Sequence, residues 1–158
     1  MPPKRPDEPE INNRRARHDY EIIESLEVGI RLCGTEIKSV RAGLVSLAEG
    51  YIRATDDPIA LELHGVHIDE YAPAGKGPLQ HRPVTMRSLL AHKREIRKLA
   101  KATQVKGMTI VPLKLYFKNG KAKLLIGLGR GKAAYDKRQD IKKRDAEREM
   151  RQATTRRR

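Results

Sequence analysis

The stretch TIVPLKLYFKNGKAKLLIGL, residues 109–128, decides the fold because it has the pattern of a β-hairpin. Apolar side chains recur at every second position of its first half: Val111, Leu113, Leu115 and Phe117. This alternation is typical of a strand with one buried face. The dipeptide Asn119-Gly120 favours a type I′ turn between the two strands. Pro112 cannot donate a ladder hydrogen bond, so we expect it at an edge or a bulge.

Upstream of this hairpin, three further segments have strand character. YEIIESLEVGIRL at 20–32 is rich in β-forming residues, and Gly29 within it indicates a bulge or a tight bend. EGYIRAT at 49–55 and PIALELHGVHIDEY at 58–71 flank a DDP turn signal. In the second of these, the apolar face switches near Gly65, as in a strand that bends round the corner of a barrel.

Two helices are expected between the strands. Thr35 is a plausible N-cap for a short helix over residues 36–42. The second helix should span residues 85–103, with apolar side chains on one side and five cationic side chains on another. Five or more strands with two interposed helices predict a mainly β fold, a small β-barrel with helices.

Positive charge dominates the composition, with 34 Lys and Arg residues against 20 Asp and Glu residues, a formal net charge of +14. Residues 130–158 contain 12 basic and 5 acidic residues, which is half of that excess. Such a charge attracts the phosphates of nucleic acid. An anionic membrane is the rival partner, but membrane insertion needs an apolar face that this segment lacks.

Cysteine content and hydropathy indicate where such a protein works. Cys33 is the only cysteine, so no internal disulfide is possible and a Cys-based metal site is implausible. No apolar run approaches transmembrane length, and the N-terminus has no signal-peptide core. We therefore expect a cytoplasmic protein.

The candidate chemical sites are weak. His64 and His67 should point to opposite faces of a strand, which does not suit a metal. GLGRGK at 127–132 lacks the spacing of a phosphate-binding P-loop. No catalytic constellation is evident, and we predict no catalytic residue, metal or cofactor, although spatial clustering could hide a nuclease or an RNA-modifying enzyme.

Two basic segments are better candidates for binding. NNRRARHDY at 12–20 is either a solvated arm or an RNA contact in which Asn supplies amide groups and the arginines meet phosphates. The segment at 131–152 has a helical composition with a cationic stripe and little apolar surface. It is either a solubilising tail or a helix that anionic RNA orders on binding.

Five separated motifs together resemble the SmpB family, the bacterial SsrA-binding proteins. They occur in the family's order: NRRARHDY at 13–20, GIRLCGTEIKSVRAG at 29–43, the HIDEY…HRP…LLAHKREI run at 67–96, VPLKLYF at 111–117 and GKAAYDKRQDIKKRD at 131–145. Two of them depart from the usual pattern. Residues 87–93 have one basic residue and one Leu fewer, and residues 129–133 lack one lysine.

The resemblance implies an OB-like small β-barrel with flanking α-helices and a C-terminal tail that folds on ribosome binding. Residues 1–10 would be a disordered extension, 11–130 the OB-like tmRNA-binding domain, and 131–158 a basic tail that is disordered when free. It further implies a non-enzymatic partner of transfer-messenger RNA (tmRNA) that enters stalled ribosomes during trans-translation. EF-Tu and alanyl-tRNA synthetase would be partners through charged tmRNA.

The resemblance and the charge pattern together predict two sets of site residues. The predicted tmRNA-binding residues are Asn13, Arg14, Arg15, Arg17, His18, Glu27, Lys38, Arg87, Leu90, Lys93 and Arg94. The predicted tail residues, which would meet 16S rRNA at the decoding centre and in the mRNA channel, are Gly131, Lys132, Tyr135, Asp136, Lys137, Arg138, Ile141, Lys142, Arg144 and Arg148. A general single-strand RNA binder or a ribosomal protein is the alternative, but one Phe and no Trp supply few stacking platforms.

Overall fold

A computed structural model describes residues 8–156 of this chain, without the side chains at 134–136 and 156. Of the predicted disordered extension, residues 1–10, the first seven lie outside the described residues. Residues 8–10 are in neither a helix nor a strand.

The described residues form a mainly β protein with helices around the strands, as predicted. The strands are β1 (Ile11–Asn12), β2 (Tyr20–Ile30), β3 (Val45–Ser46), β4 (Tyr51–Asp56), β5 (Ile59–His64), β6 (His67–Ile68), β7 (Arg87–Leu90), β8 (Met108–Lys118) and β9 (Lys121–Gly131). The α-helices are α1 (Arg14–Asp19), α2 (Gly34–Arg41), α3 (Lys93–Ala102) and α4 (Ala134–Arg156). A 3₁₀ turn, Ala72–Ala74, lies in the loop after β6.

Six strands close into a ring, which confirms the OB-like barrel. Hydrogen bonding runs in the order β8, β4, β5, β7, β2, β9 and returns to β8, with antiparallel pairing throughout. β1 pairs with β8 outside this ring, and β3 pairs with β6 in a separate two-stranded ribbon. Closure satisfies the backbone groups that an open sheet would leave at its edges.

The β8–β9 hairpin is formed as the sequence predicts. Asn119 and Gly120 have φ angles of 53° and 73°, the left-handed conformation that a type I′ turn requires. The register shifts between Pro112 and Lys114, so Pro112 lies at a bulge, although β8 is not an edge strand.

A bulge in β2 lies elsewhere than we expected. The register shifts between Ile22 and Glu24, whereas Gly29 continues the ladder without a shift. A Cβ at Gly29 would lie 3.2 Å from the Cβ of Leu90 on the neighbouring strand. The missing side chain at Gly29 therefore leaves room for Leu90.

The prediction of a helix over 85–103 is wrong for residues 85–92, because the helix is Lys93–Ala102. Residues 87–90 form β7, which pairs with Gly29 and Ile30 of β2 and with Glu62 and Leu63 of β5. These pairings close the ring, and this tertiary gain overrides a local pattern that also fits a helix. The helix itself begins at Lys93, where the Glu95 carboxylate accepts a hydrogen bond from the His92 backbone N–H at 3.0 Å.

The interior of the ring contains the main hydrophobic core, and α3 adds to it. Fully buried side chains of this core come from five of the strands in and beside the ring: Val28, Leu63, Ile68, Ile110, Leu115, Leu124 and Ile126. Ile96 and Leu99 of α3 pack into the same cluster. The opposite face of α3 contains its exposed cations, so the predicted division into a core face and a cationic face is confirmed for Lys93–Ala102, the part that is helical.

The predicted bend near Gly65 is confirmed, and it generates a prediction about stability. Gly65 has a φ of +73°, and a Cβ there would lie 2.4 Å from the backbone oxygen of Glu49. Gly43 has a similar φ of +76°, but nothing lies within 4 Å of a Cβ added there.

Gly65→Ala should therefore lower the free energy of unfolding more than Gly43→Ala does. The positive φ alone should cost each variant about 1 kcal/mol, and only Gly65→Ala also forces a backbone atom to move. Urea unfolding monitored by circular dichroism measures both. Equal midpoints for the two variants would show that the contact with Glu49 does not constrain the bend.

Candidate nucleic-acid interface

Asn13 fixes the position of the basic helix α1 from inside the protein. Only 4% of the residue is exposed, and its amide nitrogen donates to the carbonyl oxygens of Leu47 at 3.1 Å and Pro112 at 2.8 Å. Its side-chain oxygen accepts a hydrogen bond from the backbone N–H of Ala16 at 3.1 Å and so caps the helix. The expectation that this amide faces RNA directly is corrected, because its polar atoms already have partners in the interior.

The arginines of α1 point outward, as a nucleic-acid contact requires. Arg14, Arg15 and Arg17 are exposed, whereas Ala16 is buried against Val111 and Leu113 of β8. Arg15 pairs with Glu49 and, at 3.5 Å, with Asp19. His18 is half-buried and is hydrogen bonded to Asp19 at 2.9 Å. The basic segment is therefore a docked helix with an exposed cationic surface.

A cleft of about 480 Å³ lies between β2, β7 and the β8–β9 hairpin. Its walls include Gly29, Leu90 and Phe117, and its cationic side chains come from Arg31, Lys121 and Lys123. Leu90 is 51% exposed although it is a large apolar residue on a strand. Exposed apolar surface among cations suits a ligand with flat bases and negative phosphates.

Glu27 is a carboxylate next to this cleft, two residues before Gly29 on β2. It accepts a hydrogen bond from the Tyr116 hydroxyl, and Lys118 Nζ lies 3.4 Å from its carboxylate. These contacts hold the pKa of Glu27 below its usual value, and the hydrogen bond from Tyr116 has the largest effect. Burial and the nearby Glu27 carboxylate raise the pKa of Tyr116. Glu27 is therefore an ionised acceptor with a fixed orientation beside the cleft.

Arg87 is not a surface contact, which corrects its place among the predicted RNA-binding residues. Its side chain is 2% exposed, and its Nε lies 2.8 Å from the Glu36 carboxylate. Its remaining N–H groups donate to the backbone oxygens of Val66, Pro83 and Thr85 at 2.9–3.3 Å. An arginine with five donors can satisfy all of these acceptors at once, so its role is structural.

The other predicted cations of the barrel are at the surface. Lys38 on α2 is exposed, with its Nζ 5.0 Å from the centre of the Tyr71 ring. Lys93 and Arg94 are exposed in the first turn of α3, just beyond Leu90. Farther along α3, Arg97 pairs with Asp56 and Lys98 with Glu24.

The tail begins where β9 ends, and the structure places it against α1. Gly131 pairs with Tyr20, and the backbone N–H of Lys132 donates to the Asp19 carbonyl at 2.9 Å. The Lys132 ammonium donates to the Arg17 carbonyl at 3.2 Å and pairs with Asp140. Lys137 Nζ lies 3.5 Å from the Asp19 carboxylate. No local pattern in the sequence predicts this contact between the tail and α1, because its residues are more than 100 positions apart.

The rest of the predicted tail contacts lie along α4. Their side chains are exposed: Arg138, Ile141, Lys142, Arg144 and Arg148. The predicted contacts Tyr135 and Asp136 are within the helix, but their side chains lie outside the described residues. That this segment is disordered when free and folds on the ribosome stays a prediction.

His64 and His67, the pair considered as metal ligands, lie on two different strands, β5 and β6. Within residues 8–156, no group of three or more His, Cys, Asp or Glu side chains could hold a metal ion. His64 is hydrogen bonded to Glu62 at 3.1 Å, and His67 lies 3.2 Å from Asp69, so the two histidines have separate partners. No helix among the same residues is long and apolar enough to cross a membrane.

The placement of Arg87 gives a prediction that separates structure from binding. Arg87→Ala should lower the free energy of unfolding by about 3–5 kcal/mol, because it leaves the Glu36 carboxylate buried without its partner. Arg94→Ala removes an exposed arginine of the predicted RNA surface and should change stability by no more than about 0.5 kcal/mol. Chemical denaturation of both variants tests this, and similar small losses would mean that Glu36 finds another partner.

Comparison with known proteins agrees with the motifs. The family model described as SmpB protein matches residues 10–156. An SsrA-binding protein of Lactobacillus delbrueckii subsp. bulgaricus is 55% identical over 139 residues, which are 88% of this chain and 88% of that protein. An SsrA-binding protein of Chloroflexus aggregans is 50% identical over 145 residues, 92% of this chain and 90% of that protein.

A solved structure is similar in three dimensions as well. Its description reads "tmRNA-SmpB: a journey to the center of the bacterial ribosome". The matched chain superposes with a TM-score of 0.66 at 46% identity, and the match covers 80% of this chain and 86% of that one. From the family match over nearly all of its length and from these relatives, this chain belongs to the SmpB family of SsrA-binding proteins.

Proposed function

We propose that this chain binds tmRNA and acts with it in trans-translation on stalled ribosomes. The barrel holds the tRNA-like domain of tmRNA, and the tail enters the decoding centre and the empty mRNA channel. The nascent peptide can then be tagged and the ribosome released. Alanyl-tRNA synthetase would charge the same tmRNA and EF-Tu would bind it once charged, in the cytoplasm where ribosomes translate.

The observation that carries this proposal is the cationic cleft around the exposed Leu90. A single-stranded loop of RNA can place a base against the exposed Leu90 while its phosphates meet Arg31, Lys121 and Lys123. The ionised Glu27 beside the cleft can accept hydrogen bonds from base or ribose donors. The exposed arginines of α1 would extend the phosphate contacts.

The tail supports a second and separate contact. α4 has cations along most of its length, and Ile141 is among its exposed residues. A helix with so little apolar surface gains more from phosphate neutralisation than from packing on its own barrel. We therefore assign ribosomal RNA to the tail and tmRNA to the barrel. The role needs binding and positioning, with no catalytic step.

Removal of the tail tests this division. A chain truncated after Ala134 should bind tmRNA with unchanged affinity but should fail to support tagging of stalled peptides. Filter binding with tmRNA and a reconstituted stalled-translation assay measure the two properties.

The matched control for that truncation changes the cleft and keeps the tail. Leu90→Ala should weaken tmRNA binding while α4 remains complete. Tagging that persists without the tail would contradict the tail's role, and equal binding of tmRNA and unstructured RNA by the full chain would contradict the proposed partner.

Salt dependence tests the phosphate contacts. The logarithm of the affinity for tmRNA should fall linearly with the logarithm of salt concentration, because each neutralised phosphate releases a condensed counterion. Arg17→Gln should reduce that slope by about one. Lys106→Gln, which changes an exposed lysine outside the predicted set, should leave the slope unchanged. A slope near zero for the unmodified chain would exclude a phosphate-dominated interface.

A further inference from the structure

Two aromatic side chains stack on each other at the surface, away from the cleft. Tyr51 of β4 lies directly opposite His64 of β5. Their ring centres are 5.2 Å apart and their planes differ by 12°. Tyr51 is nevertheless 51% exposed, and 27% of the His64 side chain is exposed. The stack therefore leaves a large part of the tyrosine ring open to solvent.

The surrounding chain holds this stack in place. Gly50, immediately before Tyr51, has no room for a side chain, since a Cβ there would lie 2.8 Å from both Pro112 Cγ and Val66 Cγ2. The backbone at the start of β4 is thus pressed against the barrel. On the other strand, His64 Nε2 is hydrogen bonded to Glu62 at 3.1 Å. An aromatic surface with a fixed orientation loses little freedom when a ligand stacks on it.

Tyr51 also lines a hollow of about 190 Å³ next to α1. The other walls of the hollow include Asn13, Arg15 and Asp19 of the α1 region, together with Glu49. The cleft around Leu90 shares none of these lining residues. The stacked pair therefore belongs to the surface of the basic helix and not to the cleft.

The chemistry of the hollow favours a base over a phosphate. Glu49 and Asp19 bring carboxylates to its walls, and their ion pairs with Arg15 leave the hollow without an excess of positive charge for a phosphate. A carboxylate oxygen can also accept a hydrogen bond from an N–H group of a base edge. The exposed arginines Arg14, Arg15 and Arg17 lie on α1 itself. A strand whose phosphates contact α1 can turn one unpaired base into the hollow and onto the tyrosine ring.

We propose that Tyr51, supported by His64, is a stacking platform for one unpaired base of the tmRNA that the α1 arginines bind. This inference rests on the proposed tmRNA-binding function and adds a base contact to it. The alternative role of the pair is stabilisation of the sheet alone, as cross-strand aromatic pairs do elsewhere. The two roles differ in their effect on binding and on stability.

The experiment compares Tyr51→Phe with Tyr51→Leu in the full-length chain, with tmRNA as the probe. Tyr51→Phe keeps the ring and should retain affinity within about twofold, whereas Tyr51→Leu should lose about tenfold, in the range of one lost base stack. The salt slope of Tyr51→Leu should remain that of the unmodified chain, because stacking releases no counterions. Leu79→Ala, at an exposed position on the loop after β6, is the control and should bind normally.

Each other outcome overturns the platform in a distinct way. Normal binding by Tyr51→Leu excludes base stacking, and equal losses in both variants would assign the effect to the hydroxyl group. Tyr51→Leu could also lose affinity because part of it is unfolded, which a lower urea midpoint would reveal. If the loss of affinity disappears once the unfolded fraction is taken into account, the pair only stabilises the sheet. If the unmodified chain does not bind tmRNA, the proposed function itself fails and the platform fails with it.

Discussion

The buried ion pair of Arg87 and Glu36 is the interaction on which the rest of the structure depends. Arg87 is the first residue of β7, the strand that joins β5 to β2 and so closes the ring. Its guanidinium also holds the chain at Val66 and at 83–85, while Glu36 accepts a hydrogen bond from the Cys33 backbone N–H at the start of α2. The pair therefore ties together a strand, a helix and a long loop.

A buried charge is costly unless its hydrogen-bonding groups are satisfied. Here both partners meet that condition, and the neighbouring His81 extends the network through contacts with Thr35 at 2.9 Å and the Ile68 carbonyl at 3.1 Å. These contacts fix the first residue of β7, the strand that ends at Leu90 in the wall of the cleft. The surface proposed to face RNA is thus positioned by polar groups that are themselves buried.

The tail is held in a much weaker way than the barrel. Its side-chain contacts with α1 are the ion pair of Lys137 with Asp19 and the hydrogen bond from the Lys132 ammonium to the Arg17 carbonyl, and Lys132 also pairs with Asp140 within the tail. Ion pairs between exposed side chains contribute little to stability in water. The phosphates of RNA can replace these carboxylates as partners of the lysines. The structure therefore suits a tail that exchanges one set of ionic partners for another without disturbing the barrel.

Local patterns in the sequence were sufficient for the five longest strands, β2, β4, β5, β8 and β9, for the hairpin turn and for the overall charge. The alternation around Val111 and the Asn119-Gly120 turn depend on neighbouring residues, so they could be read directly. The motifs also identified the family and the exposed cations of α1, α3 and α4. Tertiary structure decided the features that depend on distant residues: β7 instead of a helical turn, the interior positions of Asn13 and Arg87, the stack of Tyr51 on His64, and the contact of the tail with Asp19. The physical reason is that burial and strand pairing are decided by partners far apart in the chain, and no local spacing encodes which partner a side chain will meet.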